Sequence, residues 1–159
     1  MSIIKVLYVD DENNNLISFK ATFRNQFEVI TCISPKEAFK VLKKENEISV
    51  ILIDQRMPGT TGVEFMKDLK ENFPEPLRIL ITAYADVEVL EKAINDGNVY
   101  KYICKPWNEN MIEKHILEAN ILWSARRDTL NLAKSLIEKN DRLDELLRVR
   151  FNSQPQRQF

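Results

Sequence analysis

A rhythm in its first two-thirds constrains this chain most. Five short apolar runs, at residues 3–9, 27–32, 50–53, 78–81 and 99–104, alternate with segments of helical spacing. The runs are rich in Ile, Val, Leu and Tyr, and none contains Gly or Pro. Continuous runs of this length suit strands buried on both faces of a parallel sheet. Between them, Leu16, Phe19, Lys20 and Phe23 share one helical face, as do Ala38, Val41 and Leu42. Phe65, Met66 and Leu69 define a third face, and Val87, Leu90 and Ile94 a fourth. Ser34-Pro35-Lys36-Glu37 and Thr61-Gly62-Val63-Glu64 carry capping-box signals, and Gly97 stands where a left-handed C-terminal cap belongs. Strand and helix alternating over short connections predict an α/β fold of the (βα)5 kind, with helices on both faces of a parallel sheet.

The pattern changes after Asn108. From there to about Phe151 no Gly or Pro occurs. A helix of roughly 40 residues would run about 60 Å, more than a five-stranded domain can cover. Ile112, Ile116, Ala119 and Trp123 are expected to pack on the sheet. Beyond them a heptad places Arg126, Ala133, Asn140 and Leu147 at one core position and Thr129, Leu136, Leu143 and Arg150 at the other, flanked by Leu130 and Ile137. The expected organisation is a domain over residues 1–122, a coiled-coil stalk over 123–151 and a polar tail over 152–159. Charge changes across the same boundary. The chain from Ala119 onward has 8 basic and 5 acidic residues, against 15 and 19 before it.

Composition narrows the chemistry. The only glycines are Gly59, Gly62 and Gly97, too few and too scattered for a dinucleotide fingerprint or a phosphate loop. One histidine, His115, and two distant cysteines, Cys32 and Cys104, cannot build a structural zinc site or a ready catalytic triad. A net charge of −1 gives no electrostatic bid for nucleic acid, and no apolar stretch approaches a membrane span. The N-terminus lacks the form of a signal peptide, so a cytoplasmic location is expected. Cys32 and Cys104 are expected to be buried thiols, Trp107 a packing residue, and His115 and the Arg126-Arg127-Asp128 cluster parts of helix faces.

What remains is a set of oxygens and lysines at strand ends. The first strand runs into Asp10-Asp11, the third into Asp54, the fourth into Thr82 and the fifth into Lys105-Pro106. In an open parallel sheet, groups at the carboxyl ends of strands converge on one rim, where ligands bind. Three crowded carboxylates repel unless a cation joins them, and a hard ion with oxygen ligands and retained waters describes Mg2+. Carboxylates, Mg2+, a hydroxyl and an ammonium together suit acceptance of a phosphoryl group. Asp54 is the best nucleophile candidate, being single, central and followed by the Met57-Pro58-Gly59 turn. Asp10 and Asp11 are then the metal holders.

Val9-Asp10-Asp11-Glu12, the Leu52-Ile53-Asp54-Gln55-Arg56-Met57-Pro58-Gly59 run, Thr82-Ala83 and Lys105-Pro106 together resemble the receiver domain of bacterial two-component response regulators. The resemblance implies a flavodoxin-like sheet of order 2-1-3-4-5 and phosphorylation of Asp54 by a sensor histidine kinase or phosphotransfer protein. It implies Mg2+ held directly by Asp11 and Asp54, by Asp10 through water, and by the Arg56 backbone carbonyl. It also implies Thr82 and Tyr102 as a switch pair, and Lys105 contacting the phosphoryl group beside a cis Lys105–Pro106 bond.

Ala93-Ile94-Asn95-Asp96-Gly97 and Tyr100-Lys101-Tyr102-Ile103-Cys104-Lys105-Pro106-Trp107 extend the likeness to a receiver subgroup. Members of that subgroup are joined to hydrogenase-type regulators, cyclic-dinucleotide phosphodiesterases and nucleotide cyclases. The implied protein is a signalling phosphoacceptor, not a turnover enzyme. It would pair with a second copy through the stalk, and it is either a short regulator or a fragment lacking its output domain. Two alternatives stand beside it. One is a phosphorylation-independent dimerisation scaffold. The other is an aspartate-dependent phosphohydrolase, which would need Asp-x-Asp where this chain has Asp10-Asp11-Glu12.

Overall fold

The structure, a computed structural model, describes residues 3–83 and 87–153. Its strands are β1 (Lys5–Val9), β2 (Glu28–Cys32), β3 (Ile48–Asp54), β4 (Arg56–Met57), β5 (Thr60–Thr61), β6 (Leu77–Thr82) and β7 (Lys101–Cys104). Its helices are α1 (Asn13–Phe23), α2 (Pro35–Lys44), α3 (Gly62–Asn72), α4 (Val87–Asn95) and α5 (Glu109–Asn152). Five parallel strands form one sheet in the order β2-β1-β3-β6-β7, which is 2-1-3-4-5 when the principal strands alone are counted. The flavodoxin-like receiver topology is therefore present. The sequence reading missed β4 and β5, an antiparallel pair around the Pro58-Gly59 turn, where Gly59 takes a φ of +80°.

Alternate residues of each strand feed two separate cores, as the period-two geometry of a strand requires. Tyr8, Leu52, Ile79, Ile81 and Ile103 face α1 and the start of α5, meeting Phe19, Phe23, Ile112, Ile116 and Ala119. Leu7, Val9, Ile51, Ile53 and Leu80 face α2, α3 and α4, meeting Leu42, Phe65, Met66, Leu69, Leu90 and Ala93. Strands covered on both sides favour apolar residues on both faces, which is why Val50–Ile53 of β3 reads as an unbroken apolar run.

Two helical faces differ from expectation. Lys20 is exposed while Leu16, Phe19 and Phe23 are buried, because an ammonium cannot join an aromatic core. In α4 the buried residues are Leu90 and Ala93, and Val87 and Ile94 lie outward, since small Ala93 lets the helix sit close to the sheet.

Helix ends follow their sequence signals with one change. Thr61 and Glu64 form a full reciprocal capping box at α3. Ser34 accepts from the Glu37 amide at α2, but Glu37 reaches back to the Ile33 amide, one residue earlier than a capping box requires. Gly97, with φ +69°, closes α4. The same corner is tied down twice more. Lys70 of α3 donates to the Asp96 carbonyl, and buried Arg78 donates to the carbonyls of Pro76, Gly97 and Asn98.

The chain divides into two units between Ser124 and Ala125. The first contains the sheet, its covering helices and the start of α5, with Leu122 and half-buried Trp123 packed on the core. The second is the remainder of α5, whose Leu130, Leu132, Leu136, Ile137, Leu143 and Leu146 are all exposed. No helix among the described residues is long and apolar enough to cross a membrane.

Candidate functional site

The ends of β1, β3, β6 and β7 meet at one rim, and the polar groups gather there. Asp10, Asp54 and Thr82 are 1%, 7% and 3% exposed, so each sits in the wall of the site and not on an open surface. The Lys105 ammonium donates to Asp54 Oδ1 at 2.6 Å, while the Arg56 backbone N–H donates to Oδ2 at 2.9 Å. Both oxygens of the buried carboxylate are thus satisfied, one by a full charge and one by an amide. Lys105 is placed for this by its own N–H, which donates to the Thr82 carbonyl at 2.8 Å. The peptide bond that follows, Lys105–Pro106, is cis.

Asp10 is held by three donors. Its Oδ1 accepts from the Glu12 amide at 2.8 Å, and its Oδ2 from the Tyr8 hydroxyl at 2.6 Å and Asn15 Nδ2 at 3.0 Å. Burial pushes the Tyr8 phenol far up, and the neighbouring Asp10 carboxylate pushes it further, so this hydroxyl stays a donor. Tyr8 and Asn15 escaped the sequence reading. The available signal was spacing, since Tyr8 shares Asp10's face two residues earlier on the strand, and Asn15 opens the following helix.

Asp11 is half-buried and makes no hydrogen bond or ion pair among the described residues. It lines an open cleft with Gln55, Arg56, Met57, Thr61 and Thr82. No three His, Cys, Asp or Glu side chains among the described residues stand as a ready-made metal cage. The donor chemistry nevertheless fits a small hard cation that keeps several waters. Asp11 offers an uncommitted carboxylate, Asp54 a second carboxylate whose Oδ2 is held by a single amide, and the Arg56 carbonyl a neutral oxygen. Asp10, 1% exposed and held by three donors, suits a contact through water.

The backbone approaches very closely behind Asp54. Gly62, the first residue of α3, donates its N–H to the Gln55 carbonyl at 2.9 Å. The Gln55 side chain caps the same helix, its Oε1 accepting from the Val63 N–H at 3.1 Å.

On the neighbouring strands, Tyr102 pairs with Leu80 and Cys104 with Thr82. Tyr102 therefore shares a sheet face with Leu80 and Thr82, and it is 41% exposed. Cys104 is exposed, contrary to expectation, because β7 is an edge strand with no neighbour on its far side. Cys32 is buried as expected, and burial pushes its thiol up to about 12. His115 is more than a face residue. Lys101 Nζ lies 2.9 Å from its Nδ1 and 3.0 Å from Glu118 Oε2, joining β7 to α5. Trp107 packs against Phe19 and Phe23, as a packing residue should.

A parallel sheet of this order with an acidic rim, a hydroxyl and a lysine on successive strand ends defines a receiver. The chain belongs to the response regulator receiver domain family, whose model matches residues 6–117. It is 45% identical over 102 residues to the hydrogenase transcriptional regulatory protein HoxA of Cupriavidus necator, covering 64% of this chain and 21% of that protein. It is 34% identical over 124 residues to the HoxA of Bradyrhizobium diazoefficiens, covering 78% of this chain and 25% of that protein. The chain thus spans about a quarter or less of these relatives. Among solved structures, the adenylate cyclase from Rhodopirellula baltica superimposes with a TM-score of 0.79 at 29% identity, covering 84% of this chain and 98% of that one.

Proposed function

We propose that this receiver takes a phosphoryl group onto Asp54 from a sensor histidine kinase or a phosphotransfer protein, with Mg2+ at the acidic rim, and passes the change to a paired helical stalk. The contact that carries the reading is Lys105 Nζ on Asp54 Oδ1 at 2.6 Å. It couples a buried carboxylate to an ammonium placed to follow a new phosphoryl oxygen.

In the transfer, an Asp54 carboxylate oxygen attacks phosphorus as the bond from phosphorus to the donor's imidazole nitrogen breaks, leaving an acyl phosphate. Charge spreads over the three equatorial oxygens. Lys105 and the Thr82 hydroxyl donate to those oxygens, and such charge-assisted bonds are the strong ones. Mg2+ held by Asp11, Asp54 and the Arg56 carbonyl, with Asp10 behind a water, would neutralise charge on the same oxygens when bound. Movement of Thr82 toward the phosphoryl group vacates space for Tyr102 on the shared face.

The chain is then a phosphoacceptor in the cytoplasm, limited to its own phosphorylation and dephosphorylation. The exposed apolar stripe of α5 pairs with a second copy. The test is Mg2+-dependent phosphorylation by acetyl phosphate, read by intact mass. Wild type should gain one phosphoryl group and Asp54→Asn none, and a phosphorylated Asp54→Asn at the same site would refute the reading.

A further inference from the structure

We propose that the Gln55 side chain is a phosphoryl-binding donor of this site, in addition to Thr82 and Lys105. The inference rests on Asp54 as the phosphoacceptor and begins with the bond from the Val63 N–H to Gln55 Oε1 at 3.1 Å. A backbone N–H can only donate, so the side-chain atom facing it must be the carbonyl oxygen. The orientation of the amide is therefore fixed by chemistry, with Nε2 pointing away from α3. That NH2 group has no partner among the described residues. Gln55 is half-buried and lines the cleft shared with Asp11 and Thr82.

With its oxygen facing the Val63 N–H, the carboxamide turns its NH2 hydrogens away from α3. An amide is too weak a base to take a proton from an attacking water, so it is no general base. It can donate to an anionic oxygen entering the cleft. A phosphoryl group on the adjacent Asp54 brings three such oxygens. The same helix start that Gln55 caps keeps its amide in place, so the donor is held before the anion arrives.

The probe is beryllofluoride, a phosphoryl mimic, added with Mg2+ to the full chain. In 15N-labelled protein the Gln55 side-chain NH2 pair is assigned by its loss in Gln55→Met. This pair should move on addition of beryllofluoride, and Gln55→Met should weaken beryllofluoride affinity about tenfold, the loss expected for one hydrogen bond to a charged group. Gln55→Glu keeps the acceptor for Val63, so its thermal stability should match wild type while its affinity falls. A stationary NH2 pair, with unchanged affinity in Gln55→Met, would reduce Gln55 to a helix cap and overturn the proposal. If wild type itself takes up no beryllofluoride, the reading of Asp54 falls first and takes this one with it.

Discussion

A Cβ placed on Gly62 would stand 2.7 Å from the Asp54 carbonyl oxygen and 2.7 Å from Leu80 Cδ1. The first turn of α3 can lie against the end of β3 only because this residue has no side chain. Gly62→Ala must push either the backbone of Asp54 or the core away, and overpacking of this kind costs about 2 kcal/mol. Urea denaturation should show that loss, and phosphorylation by acetyl phosphate should slow with it, because Asp54 itself is displaced.

Lys105→Met should also slow phosphorylation, by about tenfold, through loss of one charge-assisted donor. Its effect on stability should be of similar size, about 1–2 kcal/mol, moderated because the ammonium is partly solvated. The two residues form a pair, so Asp54→Asn with Lys105→Met should cost less than the sum of the single changes. A double-mutant cycle in urea gives the coupling, expected near 1 kcal/mol.

The two thiols should separate cleanly. Cys104 is exposed and Cys32 buried, with its thiol pushed up to about 12. Ellman's reagent on native protein at about pH 8 should therefore titrate one thiol rapidly and the second only after denaturation. Cys104→Ser should abolish the rapid phase.

The link from Lys101 to Glu118 should depend on pH in a defined direction. The hydrogen bond from Lys101 is the chief cause that holds the Glu118 carboxyl below the usual glutamate range. The unfolded chain therefore binds a proton at a pH where the folded chain does not. The contribution is full above the ordinary glutamate range and disappears as pH falls through the lowered value. The difference in urea midpoint between wild type and Glu118→Gln should be present at neutral pH and vanish as the carboxyl is protonated at acid pH.

The stalk offers a direct test. Cysteines at Leu136 and Leu143, introduced in a Cys104→Ser background, should cross-link between two copies if these residues form the paired seam. Adding beryllofluoride should change the cross-linking efficiency of the two positions relative to each other. An unchanged ratio would separate the stalk from the phosphoryl site.

Much of the fold was legible because burial on both faces leaves an unmistakable signature. β3 and β6 have no solvent side, so the stretches Val50–Ile53 and Ile79–Ile81 are wholly apolar until the chain reaches Asp54 and Thr82. The polar residues at the strand ends were legible for the same reason, as abrupt exits from apolar runs. Edges were harder. Cys104 looked buried because β7 has the composition of an inner strand, and nothing local reveals that it lies at the edge of the sheet. Val87 and Ile94 misled similarly, since spacing alone cannot say which apolar face of α4 turns inward. Tyr8, Asn15 and Gln55 stayed hidden because their contribution lies in hydrogen bonds across elements, which leave no periodic trace.

The knot of bonds around Asp96, Gly97 and Asn98 bears on α4 in a mechanical way. Lys70 and Arg78 fasten its C-terminal end to α3 and to the start of β6. A rod clamped at one end has its fulcrum there. Any displacement that begins near Thr82 is therefore smallest at Gly97 and largest at the first turn of the helix, where Val87 and Val89 are exposed. Under the proposed switch, a small movement of the Thr82 hydroxyl would be lengthened by leverage into a larger shift of that apolar surface.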